Sequence, residues 1–398
     1  MSLSDEQKQI VKSTAPLLKE NGKEITSIFY KRLFENHPEL LNYFNQTNQK
    51  TGTQPLALAN IVYFAAENID HLDRLEVQLD IIAHKHRAIT VQPYHYPIVG
   101  KYMLQAIKEF LGDKATTDIL DAWSNAYTII ANCLIQREKQ LYDLLGDQPD
   151  DKDFLPFTIV SKEKTAEGPI YSIGIRRSDG KPLLAYQPGQ YITLRLKING
   201  IFHNRHYGLV RPFNHKTYRI AIRQIVDCEP KGMFTDEFLT KYHVGDTVWA
   251  SLPAGSFPII ENAKHHLFIA GGVGISVIST LVESLYNQGK SDRVTLIHCV
   301  SSDAHAAYFQ RMKICVPKQQ LHLVTQARQV LKQILQVNVR PNETEVYLCG
   351  SPQFMKTVEN YLEECHLTSD HIHMNSFRPL LSSMKNAVQD QATTKSLQ

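Results

Sequence analysis

Three textures follow one another along the chain and predict a multidomain fold: an all-α segment, an antiparallel β-barrel and an open parallel α/β sheet. Up to about Leu145 apolar residues recur at helical spacing. Short alternating runs bounded by Gly, Pro and Asn follow, and from about His265 continuous apolar strands alternate with helical segments. A chain of 398 residues exceeds one ordinary hydrophobic core. We place its domains at 1–147, 152–262 and 263–381, with a polar, aperiodic tail at 382–398 predicted to be disordered.

The helical segment opens at Ser4-Asp5-Glu6-Gln7, a capping box, and Ile10, Val11, Thr14, Leu17 and Leu18 follow on one helical face. His37-Pro38-Glu39-Leu40 predicts another helix start, with Pro near the first position where its missing N–H is not needed. Asp147-Gln148-Pro149-Asp150-Asp151 is a polar hinge. Beyond it, Tyr191-Ile192-Thr193-Leu194-Arg195-Leu196-Lys197 and Tyr218-Arg219-Ile220-Ala221-Ile222 alternate as strands of a small barrel or sandwich. Leu267-Phe268-Ile269-Ala270, Val294-Thr295-Leu296-Ile297 and Val346-Tyr347-Leu348 are apolar without alternation, as strands covered on both faces are.

A formal charge of +3, with both signs interspersed, leaves no tract for a nucleic-acid partner. Cys133, Cys228, Cys299, Cys315, Cys349 and Cys365 are widely spaced, which fits neither a disulfide framework nor a zinc or iron–sulfur site and points to a reducing cytoplasm. Asp5, Glu6, Lys8, Lys12, Lys19 and Glu20 interrupt any apolar leader, and no run is long enough to span a bilayer. A soluble intracellular protein is expected.

His86 is the most informative single residue. It lies in Lys85-His86-Arg87-Ala88-Ile89-Thr90-Val91-Gln92-Pro93-Tyr94-His95-Tyr96-Pro97-Ile98-Val99-Gly100, and a helical His ahead of a Pro-broken turn is how a helical domain offers an imidazole to haem iron. Gln54 and Leu58, one turn apart on one helical face, would cover the far side of such an iron with one polar and one apolar group. Tyr30 would add a hydroxyl donor to bound oxygen, and Phe44 a ring against the porphyrin face. By spacing alone each of these residues reads more readily as core than as part of a haem pocket.

The run of Lys-His followed by Ile, Val, Pro, Tyr and Pro97-Ile98-Val99-Gly100 resembles the proximal segment of the globin domain of bacterial and yeast flavohaemoglobins. The likeness extends over nearly the whole chain, through Tyr30, Phe44, Gln54, Leu58, His86, Tyr96 and Gln136-Arg137-Glu138. It implies that the proximal imidazole is hydrogen-bonded by Glu138, itself held by Tyr96, and a carboxylate pulling on the ring N–H strengthens the imidazole as an electron donor. Lys85, beside the ligand, would help tune the potential. His84 would face away from the iron, and His95 is expected in the loop.

Pro188-Gly189-Gln190-Tyr191 followed by Arg205-His206-Tyr207-Gly208-Leu209 resembles the flavin-binding pair of ferredoxin reductase-like barrels. The resemblance implies that Arg205 forks a pyrophosphate, Tyr207 lies on the isoalloxazine, Tyr191 contacts the adenine side or ribityl chain, and His206 and Gly208 complete the strand. Gly271, Gly272, Val273, Gly274, Ile275 and Ser276 form a Gly-rich turn after a strand, where backbone N–H groups approach a dinucleotide phosphate. Paired with Tyr347-Leu348-Cys349-Gly350-Ser351-Pro352-Gln353-Phe354-Met355, it resembles the nicotinamide-contacting loops of the same reductases. Departures from that pattern fall at four places: Gly208 replaces a Ser, Ser276-Val277 a Thr-Pro, Asn375 a Glu and Arg378 a Gly, while Phe377 keeps the stacking aromatic. These departures lead us to expect impaired or retuned flavin reduction.

The resemblance implies a globin haem domain, an FAD-binding barrel and a Rossmann-like NAD(P) domain, with haem b, FAD and NAD(P)H as cofactors. Its implied activity is nitric oxide dioxygenation, with O2 and NO as small-molecule substrates. A monomer without nucleic-acid or integral-membrane contacts is expected, with lipid in the distal pocket left open. Two other readings remain at this point: an NAD(P)H-dependent haem reductase acting on hydroperoxides, and a gas-binding or gas-sensing globin with an impaired reductase half. NADH and NADPH are not separated.

Overall fold

Ser4 closes the first helix reciprocally: its hydroxyl accepts the Gln7 N–H at 3.2 Å and the Gln7 side chain accepts the Ser4 N–H at 3.3 Å. The computed structural model describes residues 3–45, 53–145, 153–165, 168–211, 213–224, 232–325 and 328–376. Among these, one compact unit holds the residues up to Asp153 together with Lys197–Asn204, and the other holds Phe154–Leu196 together with the residues from Arg205 onward. The polar hinge at 147–151, Phe377, Arg378 and the tail lie outside the described residues.

The helices of the first unit are α1 (Asp5–Glu20), α2 (Gly22–Asn36), α3 (Thr53–Glu67), α4 (Glu76–Ala88), α5 (His95–Leu111) and α6 (Thr117–Asp143). Phe29, Leu33, Ala106, Ile107, Ala122, Trp123 and Ala126 form the centre of its core. The helix expected after His37 starts where its sequence placed it, with Pro38 at the first position, and is a short 3-10 helix, Pro38–Asn42, whose Asn42 amide donates to the Glu39 carbonyl at 2.9 Å and competes with continued α-helical bonding. One expectation is corrected. His95 is not in the loop: it is the first residue of α5, buried between Tyr43 and Tyr94, and its Nδ1 accepts the Gln92 N–H at 3.0 Å.

Next along the chain, β1 (Leu155–Lys164), β2 (Ile170–Arg177), β3 (Tyr191–Ile198), β4 (Ile201–Gly208), β5 (Tyr218–Arg223) and β6 (Thr247–Ala250) form one sheet in the order β4-β3-β6-β1-β2-β5. An antiparallel bridge from Leu209 to Ile220 joins the two ends of that order and curls it into a barrel. Helix α7 (Met233–Lys241) buries Phe234 and Phe238.

The second sheet is parallel, with β7 (His265–Gly271), β8 (Val294–Val300), β9 (Leu321–Thr325), β10 (Thr344–Cys349) and β11 (Ile372–Asn375) in the order β11-β10-β7-β8-β9. Helices α8 (Ile275–Asn287), α9 (Phe309–Cys315), α10 (Arg328–Asn338) and α11 (Pro352–Glu364) connect its strands. The chain runs outward from β7 through β8 and β9, then returns to the other side of β7 with β10. The crevice of such a sheet therefore opens between the carboxyl ends of β7 and β10. Ile170, Val210, Ala221 and Phe257 from the barrel side share one core with Phe268, Ile275, Ile278 and Leu281, which is why the two sheets gather into a single unit.

Two fully buried histidines of the parallel sheet, His266 on β7 and His298 on β8, have their imidazoles pushed down to about 4 by burial. The unfolded chain takes up protons on them near the ordinary value of 6.5, whereas the folded sheet does not. Stability must then fall as pH drops from 6.5 towards 4, by on the order of 2 kcal/mol per histidine at pH 5. Urea unfolding of the second unit at pH 7 and pH 5 should show that loss, and His266→Phe should remove about half of it; equal midpoints would contradict the assignment.

Candidate functional site

Three helices deliver the imidazole cluster. His86 stands in the last turn of α4, Tyr96 in the first turn of α5 and Glu138 towards the end of α6. The His86 Nδ1–H donates to Glu138 Oε1 at 2.8 Å, with Tyr96 Oη 3.0 Å away, and the Tyr96 hydroxyl donates to the same carboxylate oxygen at 2.5 Å. Glu138 is almost fully buried, while 32% of the His86 side chain is exposed. The ring is thus fixed as the Nδ1–H tautomer, and among the described residues nothing engages Nε2. Burial and the neighbouring Glu138 charge push the Tyr96 hydroxyl upward, so it stays a donor at all ordinary pH.

Sequence reasoning missed Tyr127 on α6, whose hydroxyl donates to the Tyr96 carbonyl at 2.7 Å and whose ring lies 2.5 Å from where a Cβ on Gly100 would stand. Glycine at 100 is what lets α5 and α6 approach at this point. His84 turns to Asp80, with Nε2 3.6 Å from its carboxylate, and burial pushes it down to about 4. Lys85 is pushed down to about 8 by burial.

Tyr30, Phe44 and Leu58 come together in the other cluster of this unit. Tyr30 is buried, its ring is 5.5 Å from that of Phe44 in an edge-on contact, and Leu58 packs on the same core. Phe44 and Leu58 are only partly buried, so apolar surface remains for a flat apolar ligand to cover. Gln54 lies on α3 one turn before Leu58, and its side chain is outside the described set. A tethered imidazole with a free Nε2 and a partly open apolar lining fit a haem.

In the second unit the two Gly-containing turns meet at the crevice. Gly271 ends β7, Gly272–Gly274 make one 3-10 turn with Gly272 at φ +54, and Ile275 and Ser276 begin α8. A Cβ on Gly274 would stand 2.2 Å from the Cys349 carbonyl oxygen, and one on Gly350 3.2 Å from the Gly271 Cα. The Phe354 ring packs over both Gly271 and Gly350. Burial pushes the Cys349 thiol up to about 12, so it is a thiol and not a thiolate. Arg223, which sequence reasoning did not single out, ends β5 and brings its guanidinium to 3.9 Å from the Cβ position of Gly272. A cation beside a turn of backbone N–H groups suits phosphate.

Along β4, the Arg205 guanidinium lies 5.6 Å from the Phe234 ring and the Tyr207 ring 6.2 Å from the same ring, so the three share one corner. His206 points to the other face, its Nδ1 2.7 Å from Thr193 Oγ1 and its ring 4.9 Å from Tyr191. Gly208 is buried. The sequence grouped Arg205, His206 and Tyr207 as one cradle, whereas the strand's alternation puts His206 with Tyr191 and the other two with Phe234. Asn375, at the end of β11, donates to the Gly189 carbonyl at 3.5 Å, and the Gly189 N–H donates to Thr280 Oγ1 at 3.0 Å. The paired Arg205 and Tyr207 fit a flavin, and the Gly-rich turn with Arg223 beside it fits a nicotinamide dinucleotide.

The globin family model matches residues 27–134. A flavohemoprotein of Halalkalibacterium halodurans is 36% identical over 95% of this chain and 97% of its own. That of Bacillus subtilis is 34% identical over 94% and 97%, and flavohemoprotein A of Dictyostelium discoideum 34% over 96% and 99%. The crystal structure of the flavohemoglobin from Malassezia yamatoensis with bound FAD and heme superposes with a TM-score of 0.84 at 25% identity, covering 95% of this chain and 100% of that one.

The glycine contacts set a graded expectation. Ala at Gly274 meets a backbone carbonyl that cannot rotate away and should cost about 3 kcal/mol, whereas Ala at Gly271 meets a ring that can shift and should cost less. Thermal unfolding of the two variants checks the order, and Gly274→Ala as stable as the parent would refute the contact.

Proposed function

The chain belongs to the flavohemoprotein family of oxidoreductases, and from that premise we propose that it is a nitric oxide dioxygenase. In the proposed reaction two NO and two O2 are converted to two nitrate ions while one NAD(P)H becomes NAD(P)+ and a proton. Haem b and FAD, when bound, supply the hydride acceptance, single-electron passage and oxygen chemistry. The observation that carries the reading is the shared hydrogen bond of His86 and Tyr96 to the buried Glu138 carboxylate.

The chain's residues have defined parts in it. His86 would hold the iron through Nε2, with Glu138 keeping the proton on Nδ1 and strengthening the ring as an electron donor, and Tyr96 keeping the carboxylate oriented. Tyr30 would donate a hydrogen bond to the oxygen substrate, with Gln54 its polar partner, while Phe44 and Leu58 exclude water from the face they line. Lys85, its ammonium pushed down to about 8 by burial yet still mostly charged at pH 7, would influence the potential at His86. Arg205 would bind the flavin pyrophosphate and Tyr207 stack on the ring system, with Tyr191 and His206 on the opposite face of the strand and Phe377 as a stacking aromatic. The turn from Gly271 through Gly272, Val273, Gly274, Ile275 and Ser276 would receive the dinucleotide phosphates beside Arg223. A cytoplasmic monomer belongs to the same proposal.

Purified protein given NAD(P)H, NO and O2 should consume NO and release nitrate in step. Gas binding by haem that NAD(P)H fails to reduce would overturn the proposal in favour of a binding protein. His86→Ala should lose the Soret band and keep flavin absorbance. Glu138→Gln should keep both and lower NO turnover by about ten-fold or more, since partners of a metal-ligating His contribute that much. An unchanged rate in a folded Glu138→Gln would remove the carboxylate from the mechanism.

A further inference from the structure

His298 lies directly beneath the Gly-rich turn. On β8 its backbone pairs with Ala270, and its fully buried imidazole has Nε2 3.2 Å from the Gly272 carbonyl oxygen. A carbonyl only accepts, so the proton is on Nε2 and the ring is neutral, consistent with the low value that burial imposes. Among the described residues its buried Nδ1 has no hydrogen-bond partner, an arrangement that stability alone does not favour. The Gly272 carbonyl also accepts the Ile275 N–H that starts α8, so both its lone pairs are taken.

The geometry points to His298 as the residue that positions the Gly272–Gly274 turn for a dinucleotide phosphate, by tying the Gly272 carbonyl inward. In a planar trans peptide the carbonyl of one residue and the N–H of the next point in opposite directions. With the Gly272 oxygen held against the buried face of the sheet, the Val273 N–H must aim away from it, on the side where an anion approaches. Gly272 stands at φ +54, where glycine has no steric preference for this peptide orientation over the flipped one, so an external tie has something to decide. A flipped plane would present a carbonyl oxygen to the phosphate in place of an N–H.

This inference rests on the dinucleotide reading of the turn. The test compares His298→Gln, whose amide N–H reaches the Nε2 position, with His298→Asn, whose amide stops near Nδ1. Both variants are polar and smaller than or similar to the parent. Binding of ADP-ribose, which has no redox chemistry, is followed by titration of flavin fluorescence, and NADH oxidation with ferricyanide gives KM and kcat. His298→Gln should bind within about three-fold of the parent. His298→Asn should bind ten-fold or more weakly and raise KM by the same factor, with kcat, flavin content and Soret band unchanged. Equal affinity of the two variants, or a fall in kcat without a rise in KM, would overturn the assignment of His298 alone. Parent protein that fails to bind ADP-ribose would instead overturn the dinucleotide reading beneath it.

Discussion

A carboxylate with almost no exposure is the constraint around which the helical unit is arranged. Burying Glu138 would be prohibitive without donors, and moving an isolated charge into the interior drives it to neutralise instead. Here the donors come from two other helices, His86 on α4 and Tyr96 on α5, so one buried oxygen holds three helices in register. The Tyr127 bond to the Tyr96 carbonyl extends the same lattice, and Gly100 supplies the clearance it needs. Because the carboxylate must be satisfied for the unit to fold, the imidazole is preoriented before any ligand arrives. Folding and tuning of the imidazole are therefore one requirement.

The reductase half solves the opposite problem, bringing backbone to backbone. Where β7 and β10 end side by side, their turns approach so closely that a Cβ at 274 would meet a backbone carbonyl and one at 350 would crowd the Phe354 ring and the Gly271 Cα. What this leaves at the crevice is exposed peptide groups, with Arg223 outside and His298 inside. A site built from main chain tolerates variation in nearby side chains, which suits a chain whose Gly208, Val277 and Asn375 depart from the pattern of the reductases it resembles. Asn375 has been taken into the packing, donating to the Gly189 carbonyl.

Local signals were legible in the sequence and tertiary ones were not. The capping box at Ser4, the alternation of Tyr191–Lys197 and the apolar runs around Phe268 and Leu296 depend on near neighbours, and each became the element that its pattern required. The helix expected after His37 forms, but stays a short 3-10 stretch where Asn42 offers its own side chain to the backbone. His95 was misplaced because its capping partner, the Gln92 N–H, is satisfied only once the turn has closed. His86 could be singled out through its Pro-rich flank, whereas His298 gave no signal: it is a histidine inside a mostly apolar strand, and its meaning depends on which strand lies beside β8. Arg223 is similar, since residues about fifty apart in sequence meet only in the folded unit. Phe377 was named from resemblance and lies beyond the residues described.

Helix α8 buries ten of its thirteen residues, and it serves both the parallel sheet and the barrel. Its Thr280 also accepts the Gly189 N–H from the turn that opens β3. A segment so enclosed has no surface along which one sheet can slip past the other. Among the described residues the barrel and the parallel sheet consequently share one continuous core. Separating them by proteolysis would expose a continuous apolar wound, and a domain exchange with a relative would have to carry both sheets together.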